Sequence, residues 1–130
     1  MSGSKVALDT NVAIAVLNNA KGAGDWVRGF GQIYLPVPVI GELLFGALNS
    51  QRPQENLTHV QQLIDRCAVL EVKVATASVY AQARLQLKRK GKPIPENDLW
   101  IAALCVKHSI PLATEDIHFS EVDGLIVEKR

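Results

Sequence analysis

Residues 96–116 read ENDLWIAALCVKHSIPLATED, a run that opens and closes in acid and is almost wholly apolar between. From Leu99 to Val106 no helical face is polar, and in a soluble protein a helix apolar all round is packed on several sides. The short run PLAT at 111–114 reads as a buried strand. The stretch therefore predicts a central helix feeding a strand of the sheet. Its flanking acids pose a choice between ordinary helix capping and a metal site that collects charge from distant parts of the chain.

Working outward, short runs rich in Val, Ile and Leu alternate with longer segments of helical period, the pattern of parallel strands joined by right-handed crossovers. Strands are expected at residues 5–9, 33–37, 68–72, 111–114 and 125–128. Two amphipathic helices are expected: one over 53–67, with its stripe at Leu57, Val60, Ile64 and Cys67, and one over 76–90, with Val79, Tyr80, Ala83 and Leu87. Between the second of these and the central helix, RKGKPIPEN carries helix stop and start signals in Gly91, Pro93 and Pro95. The expected fold is an α/β chain with a short-stranded parallel sheet.

A chain of 130 residues with 48% hydrophobic content can bury about two-thirds of its unfolded surface, enough for one domain over 1–130. Its 14 basic and 13 acidic residues leave a charge of +1, which excludes the one-signed surface of a tail-like or histone-like nucleic-acid binder. Cys67 and Cys105 lie far apart in apolar surroundings, without the close pairs that zinc sites use, and read as reduced core residues of a cytoplasmic protein. The longest apolar runs fall far short of the ~20 residues of a membrane helix, and no signal peptide is visible. The opening MSGS is given no structural weight.

Each of four acids has a functional and an ordinary reading. Asp9 ends the first strand in VALDTN, at the carboxyl edge where open parallel sheets bind ligands, although Asp9, Thr10 or Asn11 would equally cap the following helix. Glu42, in VIGELLFGAL, has Pro38, Val39, Phe45 and Gly46 as helical neighbours, an unusual setting for a solvated carboxylate. Its ordinary reading is a partly exposed Glu favoured by a helix N-terminus. Asp98 sits in a first turn where acids are favoured, yet Ile101 and Ala102 place it on an inward stripe. Asp116 follows PLAT and is otherwise a turn residue. Two strand ends and two helix starts directed to one crevice would gather carboxylates whose repulsion a divalent cation relieves. Oxygen donors without His or Cys select Mg²⁺ or Mn²⁺.

LDTN, ELLFGALNSQR, ENDLWIAA and PLATEDIHFSEVDGLIV, in that order over essentially the whole chain, together resemble PIN-domain ribonucleases, and most closely the VapC-type toxins of bacterial toxin-antitoxin pairs. The resemblance implies a three-layer α/β/α fold and a Mg²⁺-dependent endoribonuclease site, with Mn²⁺ an alternative. It places the family's acids on Asp9, Glu42, Asp98 and Asp116, with Asp9, Asp98 and Asp116 as metal ligands and Glu42 as a water-mediated ligand or general base. Asn11 and Thr114 match polar positions lining that site. It also implies a homodimer and a cognate antitoxin. Glu115 departs from the family, where a basic or small residue is common.

RNA capture around an acidic pocket needs positive charge at its rim, and Lys88, Arg89, Lys90 and Lys92 are the candidates, with Arg52 a weaker one. The first three also favour a helix C-terminus. His118 reads as structural, Trp100 as core, and Trp26 with Phe30 as a packing pair. Two rivals remain: a non-catalytic PIN-like module binding RNA or protein, and, ranked last, a phosphatase with Asp9 as nucleophile, which would want a second aspartate two residues on.

Overall fold

In the computed structural model, which describes residues 4–130, the run KVAL forms β1 (Lys5–Leu8), the middle strand of a five-stranded parallel sheet. The first three residues of MSGS lie outside the described residues. β2 (Gln32–Pro36) and β3 (Ala68–Leu70) stack to one side of β1, β4 (Leu112–Ala113) and β5 (Val127–Glu128) to the other, giving the order β3-β2-β1-β4-β5. Every pairing is parallel; Ala7 lies opposite Tyr34 on one side and Leu112 on the other. Val6, Ala7 and Leu8 are fully buried because helices cover both faces of the strand, which is why it shows no alternation of polar and apolar residues. All five expected strands are present, each within two residues of its expected ends.

The helices are α1 (Thr10–Leu17), α2 (Ala23–Arg28), α3 (Val37–Leu48), α4 (Pro53–Asp65), α5 (Val74–Lys90) and α6 (Glu96–His108). The chain steps from β1 to β2 to β3 in one direction, then returns past β1 to β4. Right-handed crossovers consequently place α1 to α4 on one face and α5 and α6 on the other, making three layers. This reversal between β1 and β4 is the switch point at which such sheets bind ligands.

Local chemistry explains the boundaries. Pro38 in the first turn of α3 removes a backbone N–H that has no partner there. α5 starts two residues earlier than its periodicity indicates, because the fully buried Thr76 hydroxyl accepts from the Lys73 N–H at 3.0 Å and caps the end. Gly91, at φ 71°, ends α5 in the left-handed conformation after Lys88, Arg89 and Lys90. The all-apolar reading of α6 is met: Leu99 and the run Ile101 to Cys105 are buried.

Trp100 corrects its expectation. It is half-buried rather than core, and stacks on Tyr80 with ring centroids 4.0 Å apart and planes at 11°, because α5 packs along that side of α6. Phe30 is buried just past α2 and meets the half-buried Trp26 edge to face at 5.2 Å. Both cysteines are free; burial pushes the Cys105 thiol up to about 12, with the Asp9 charge adding to it. Among the described residues no helix is long and apolar enough to cross a membrane.

Candidate active site

Asp9 stands at the switch point and serves both of its readings. As N-cap of α1 its Oδ1 accepts from the Thr10 N–H at 2.8 Å. Its Oδ2 accepts from the buried Thr114 hydroxyl at 2.7 Å, across the seam where the Asp9 N–H pairs with the Ala113 carbonyl. The four acids are joined by one hydrogen-bonded path. Thr10 Oγ1 donates to Glu42 Oε1 at 2.6 Å, while Thr114 Oγ1 accepts from the Asp116 N–H at 3.1 Å. Asp116 Oδ1 accepts from the His118 backbone N–H at 3.4 Å and lies 3.0 Å from its ring Nδ1, and His118 Nε2 is hydrogen-bonded with Asp98 Oδ2 at 2.8 Å. Residues from just past β1 and β4, the first turn of α6 and the second turn of α3 thus meet at one edge of the sheet, as the reversal of the chain requires; Glu42 is the one acid that stands in mid-helix rather than at a helix start.

Burial falls off across the crevice. Asp9 is 5% exposed, the Asp98 side chain 19% and the Asp116 side chain 37%, while Glu42 is exposed. The Asp9 carboxyl is held above its usual range chiefly by burial, with the charges of Asp116 and Glu42 adding and the bonds from Thr114 and Thr10 opposing. Asp98 is raised for the same first reason and by Asp9, with His118 opposing. These carboxylates therefore sense one another, and among the described residues no Lys or Arg pairs with Asp9, Asp98 or Asp116. Asp98, Asp116 and His118 each offer a ligand atom, all within 4.8 Å of one another. A donor set of this kind, short of positive charge, fits a divalent cation.

Three expectations are refined here. Glu42 does not lie in an apolar interior. Its neighbours on α3 face solvent with it, Phe45 at 67% and Leu48 at 62% exposure, so apolar residues around an acid mark an uncovered surface. Glu115 is turned toward Arg130 at 3.9 Å, and Arg130 also donates to the carbonyls of Ala20 and Lys21, so the fifth acid is drawn toward the α1–α2 connection. Asn11 is exposed and lines a shallow cleft with Thr10, Glu42 and Asn97.

The basic residues divide. Lys88 and Arg89 are exposed, and Lys88 shares a cleft with Arg84, Glu96 and Leu99 beside the first turn of α6. Lys90 pairs with Asp123 at 3.3 Å and Lys92 with Glu121 at 3.5 Å. Arg52 pairs with Glu55 at 3.5 Å on the surface. His118, expected to be structural, does bond and pack locally with Asp116 and Phe119, and it also reaches Asp98 within the crevice, which the sequence reading did not anticipate. The signal available was its position two residues past Asp116, on the 3₁₀ turn Ile117–Glu121 that Asp116 caps.

Fold and crevice together define a parallel α/β/α protein with a carboxylate site at the switch point of its sheet. Within that class the chain belongs to the PIN domain family, whose sequence model matches residues 6–125. The chain is 30% identical to the tRNA(fMet)-specific endonuclease VapC of Shigella flexneri over 127 residues, 95% of this chain and 96% of that protein. The DNA-bound VapBC structure from Salmonella typhimurium matches with a TM-score of 0.89 and 27% identity, covering 97% of this chain and 98% of that one. VapBC2 of Rickettsia felis, bound to a promoter DNA fragment, shows the same fold with a TM-score of 0.89 at 23% identity, again over 97% and 98% of the two chains. The resemblance to VapC-type toxins is borne out.

Proposed function

We propose that this protein is a Mg²⁺-dependent endoribonuclease and the toxin of a type II toxin-antitoxin pair, with Mn²⁺ able to replace Mg²⁺. The observation that carries the reading is the path of hydrogen bonds, through Thr10, Thr114 and His118, that joins Glu42, Asp9, Asp116 and Asp98 at the switch point. The likeness to ribonucleases of the VapC type supplies the substrate class.

Asp9 and Asp98, with Asp116, would hold the ion. When bound, a divalent cation lowers the pKa of an attacking water and offsets charge on the phosphodiester and the departing oxygen. Thr10 and Thr114 fix both oxygens of Asp9, so its carboxylate is aimed before substrate arrives. Glu42, exposed at the outer end and oriented by Thr10, is placed to accept a proton from water. Asn11 and Asn97 line the same cleft and orient the sugar-phosphate backbone. Lys88 and Arg89 supply exposed positive charge for RNA; Lys90 and Lys92 contribute less, being paired to acids. Ile14, Val37 and Phe45 are exposed apolar residues lining the same cleft as Glu42, and an antitoxin seated there would cover them and block the crevice. A homodimer is proposed from the same family likeness.

The test is calorimetric binding of Mg²⁺ or Mn²⁺ to the protein and to Asp9→Asn, alongside cleavage of a pool of structured RNAs with and without EDTA. Binding lost in the variant and cleavage lost with chelator are expected. Cleavage untouched by EDTA contradicts the mechanism. The rival reading, a non-catalytic module, draws on the exposure of Glu42; RNA bound with undiminished affinity and never cut would favour it.

A further inference from the structure

We propose that Gln86, with Lys90 beside it, is a positioning residue of this site: the two side chains fix the turn that follows Asp116 to the end of α5, and so set where Asp116 stands relative to Asp98. The inference rests on the metal-site reading above and adds to it two residues that touch neither ion nor reacting phosphate.

The connection from β4 to β5 needs a hold from outside itself. The strands at its ends have two residues each, Leu112–Ala113 and Val127–Glu128, so the sheet fixes the two ends and little between them. Within the connection the hydrogen bonds are local. Val122 N–H donates to the Phe119 carbonyl at 3.2 Å, Leu125 N–H to the Val122 carbonyl at 3.3 Å, and the His118 N–H to Asp116 Oδ1 at 3.4 Å. Such bonds give the turn its shape but not its place. Phe119 and Val122 are buried and seat it on the core, yet apolar contact is non-directional and leaves sliding and rotation open. Among the described residues, the backbone of 117–124 bonds to other elements through Gln86 and Lys90 alone.

Gln86 uses both atoms of its amide. Nε2 donates to the Glu121 carbonyl at 3.0 Å, and Oε1 accepts from the Asp123 N–H at 3.1 Å. A primary amide offers donor and acceptor together, whereas an ionised Glu only accepts and a Lys only donates. Two bonds to residues two positions apart fix both place and orientation, which one bond does not. Lys90, one helical turn further on the same face of α5, donates to the same Glu121 carbonyl at 2.8 Å and pairs with Asp123 at 3.3 Å. Lys92, in the loop leading to α6, pairs with Glu121 at 3.5 Å.

Two of the four acids leave this clasp on separate arms. Asp98 lies six residues beyond Lys92, and Asp116 five residues before Glu121. The end of α5 is therefore their common frame, and the bond between His118 and Asp98 at 2.8 Å closes the circuit. The basic run divides accordingly: Lys88 and Arg89 are exposed, while Lys90 and Lys92 are turned to the 121–123 segment.

Calorimetry with Mn²⁺ tests the inference on the folded protein, and amide hydrogen exchange without metal gives a readout that does not depend on the ion. Gln86→Met keeps the length of the side chain and removes both bonds. It should lose about tenfold or more of Mn²⁺ affinity, lower kcat for RNA cleavage with KM unchanged, and speed exchange at the His118 amide. Gln86→Glu retains the acceptor for Asp123 and loses the donor, and should fall between that variant and wild type. Lys90→Met should lower Mn²⁺ affinity and kcat in the same sense. Gln82→Met, one turn earlier at an exposed position of α5, should match wild type in all of these. Wild-type Mn²⁺ affinity and kcat in Gln86→Met, or in Gln86→Glu if the first variant does not fold, would overturn the inference and leave the nuclease reading intact. A rise in KM alone for Lys90→Met would do the same, by returning that lysine to RNA capture. A wild-type protein that binds no Mn²⁺, or binds it as well after Asp9→Asn, would overturn both.

Discussion

The two ends of the crevice hold the same chemical group under opposite conditions. At the inner end, Asp9 is buried, receives a hydrogen bond on each oxygen and is raised in pKa by its surroundings. At the outer end, Glu42 is exposed and receives one bond, from the Thr10 hydroxyl. A buried, doubly held carboxylate is costly to keep charged and suits a permanent partner such as a metal ion. An exposed, singly held one moves and exchanges protons with water at little cost. On the proposed function one acid set would divide between holding an ion and handling a proton, and Thr10 connects the two by donating its N–H to one and its hydroxyl to the other.

The comparison breaks most completely at Asp9. Asp9→Asn should lower RNA cleavage by two orders of magnitude or more while the fold survives, measured as single-turnover rates alongside circular dichroism. The same variant should be the more stable protein without metal. Asp9 and Asp98 hold protons more tightly folded than unfolded. Their stabilising protonation is therefore complete below the ordinary value of 3.8 and is lost as pH rises through the raised ones. Metal-free melts should show the advantage of Asp9→Asn widening from acid toward neutral pH, and saturating metal should cancel it. A gap that does not change with pH would mean Asp9 is not strained by burial.

Thr114→Val keeps the shape of the buried side chain but removes the hydroxyl that serves both Asp9 Oδ2 and the Asp116 N–H. Denaturant unfolding should register a loss of about 1–3 kcal/mol, together with weaker metal binding. Glu42→Gln sharpens the contrast: with the outer acid proposed to accept a proton rather than to hold the ion, it should reduce turnover about tenfold to a hundredfold with metal affinity nearly unchanged. Equal losses in metal affinity at Glu42 and Asp9 would erase the distinction between the ends. The smallest effect is expected of Lys88→Ala with Arg89→Ala. It should raise KM several-fold and flatten its dependence on salt without changing the rate at saturation.

Much of the fold was legible because it rests on local and periodic signals. A helix without a polar face could only be central, and α6 is buried from Leu99 to Cys105 with Trp100 the exception. Five short apolar runs became five strands, with errors confined to their ends. The acids were legible as well, since Asp9 and Asp116 follow strands and Asp98 begins a helix, while Glu42 stands in the middle of α3 rather than at its start. Their environments were not. Glu42 was read from neighbours at helical spacing, which reveals which residues share a face but not whether anything covers it. His118 was discounted because nothing in a linear chain shows that Asp98, twenty positions earlier, returns to its Nε2. Arg130 and Glu115 find each other only because the chain end passes beside the α1–α2 turn.

The order of apolar and polar residues along this chain determined which segments become helices and strands and which ends carry acid, since backbone propensity and side-chain periodicity act over a few residues. Tertiary structure alone decided which carboxylate is dry, which is wet, and that an imidazole stands between two of them. Those outcomes depend on solvent exclusion and on distances between groups up to 105 positions apart, as for Thr114 and Asp9, and such distances come into being only when the sheet assembles.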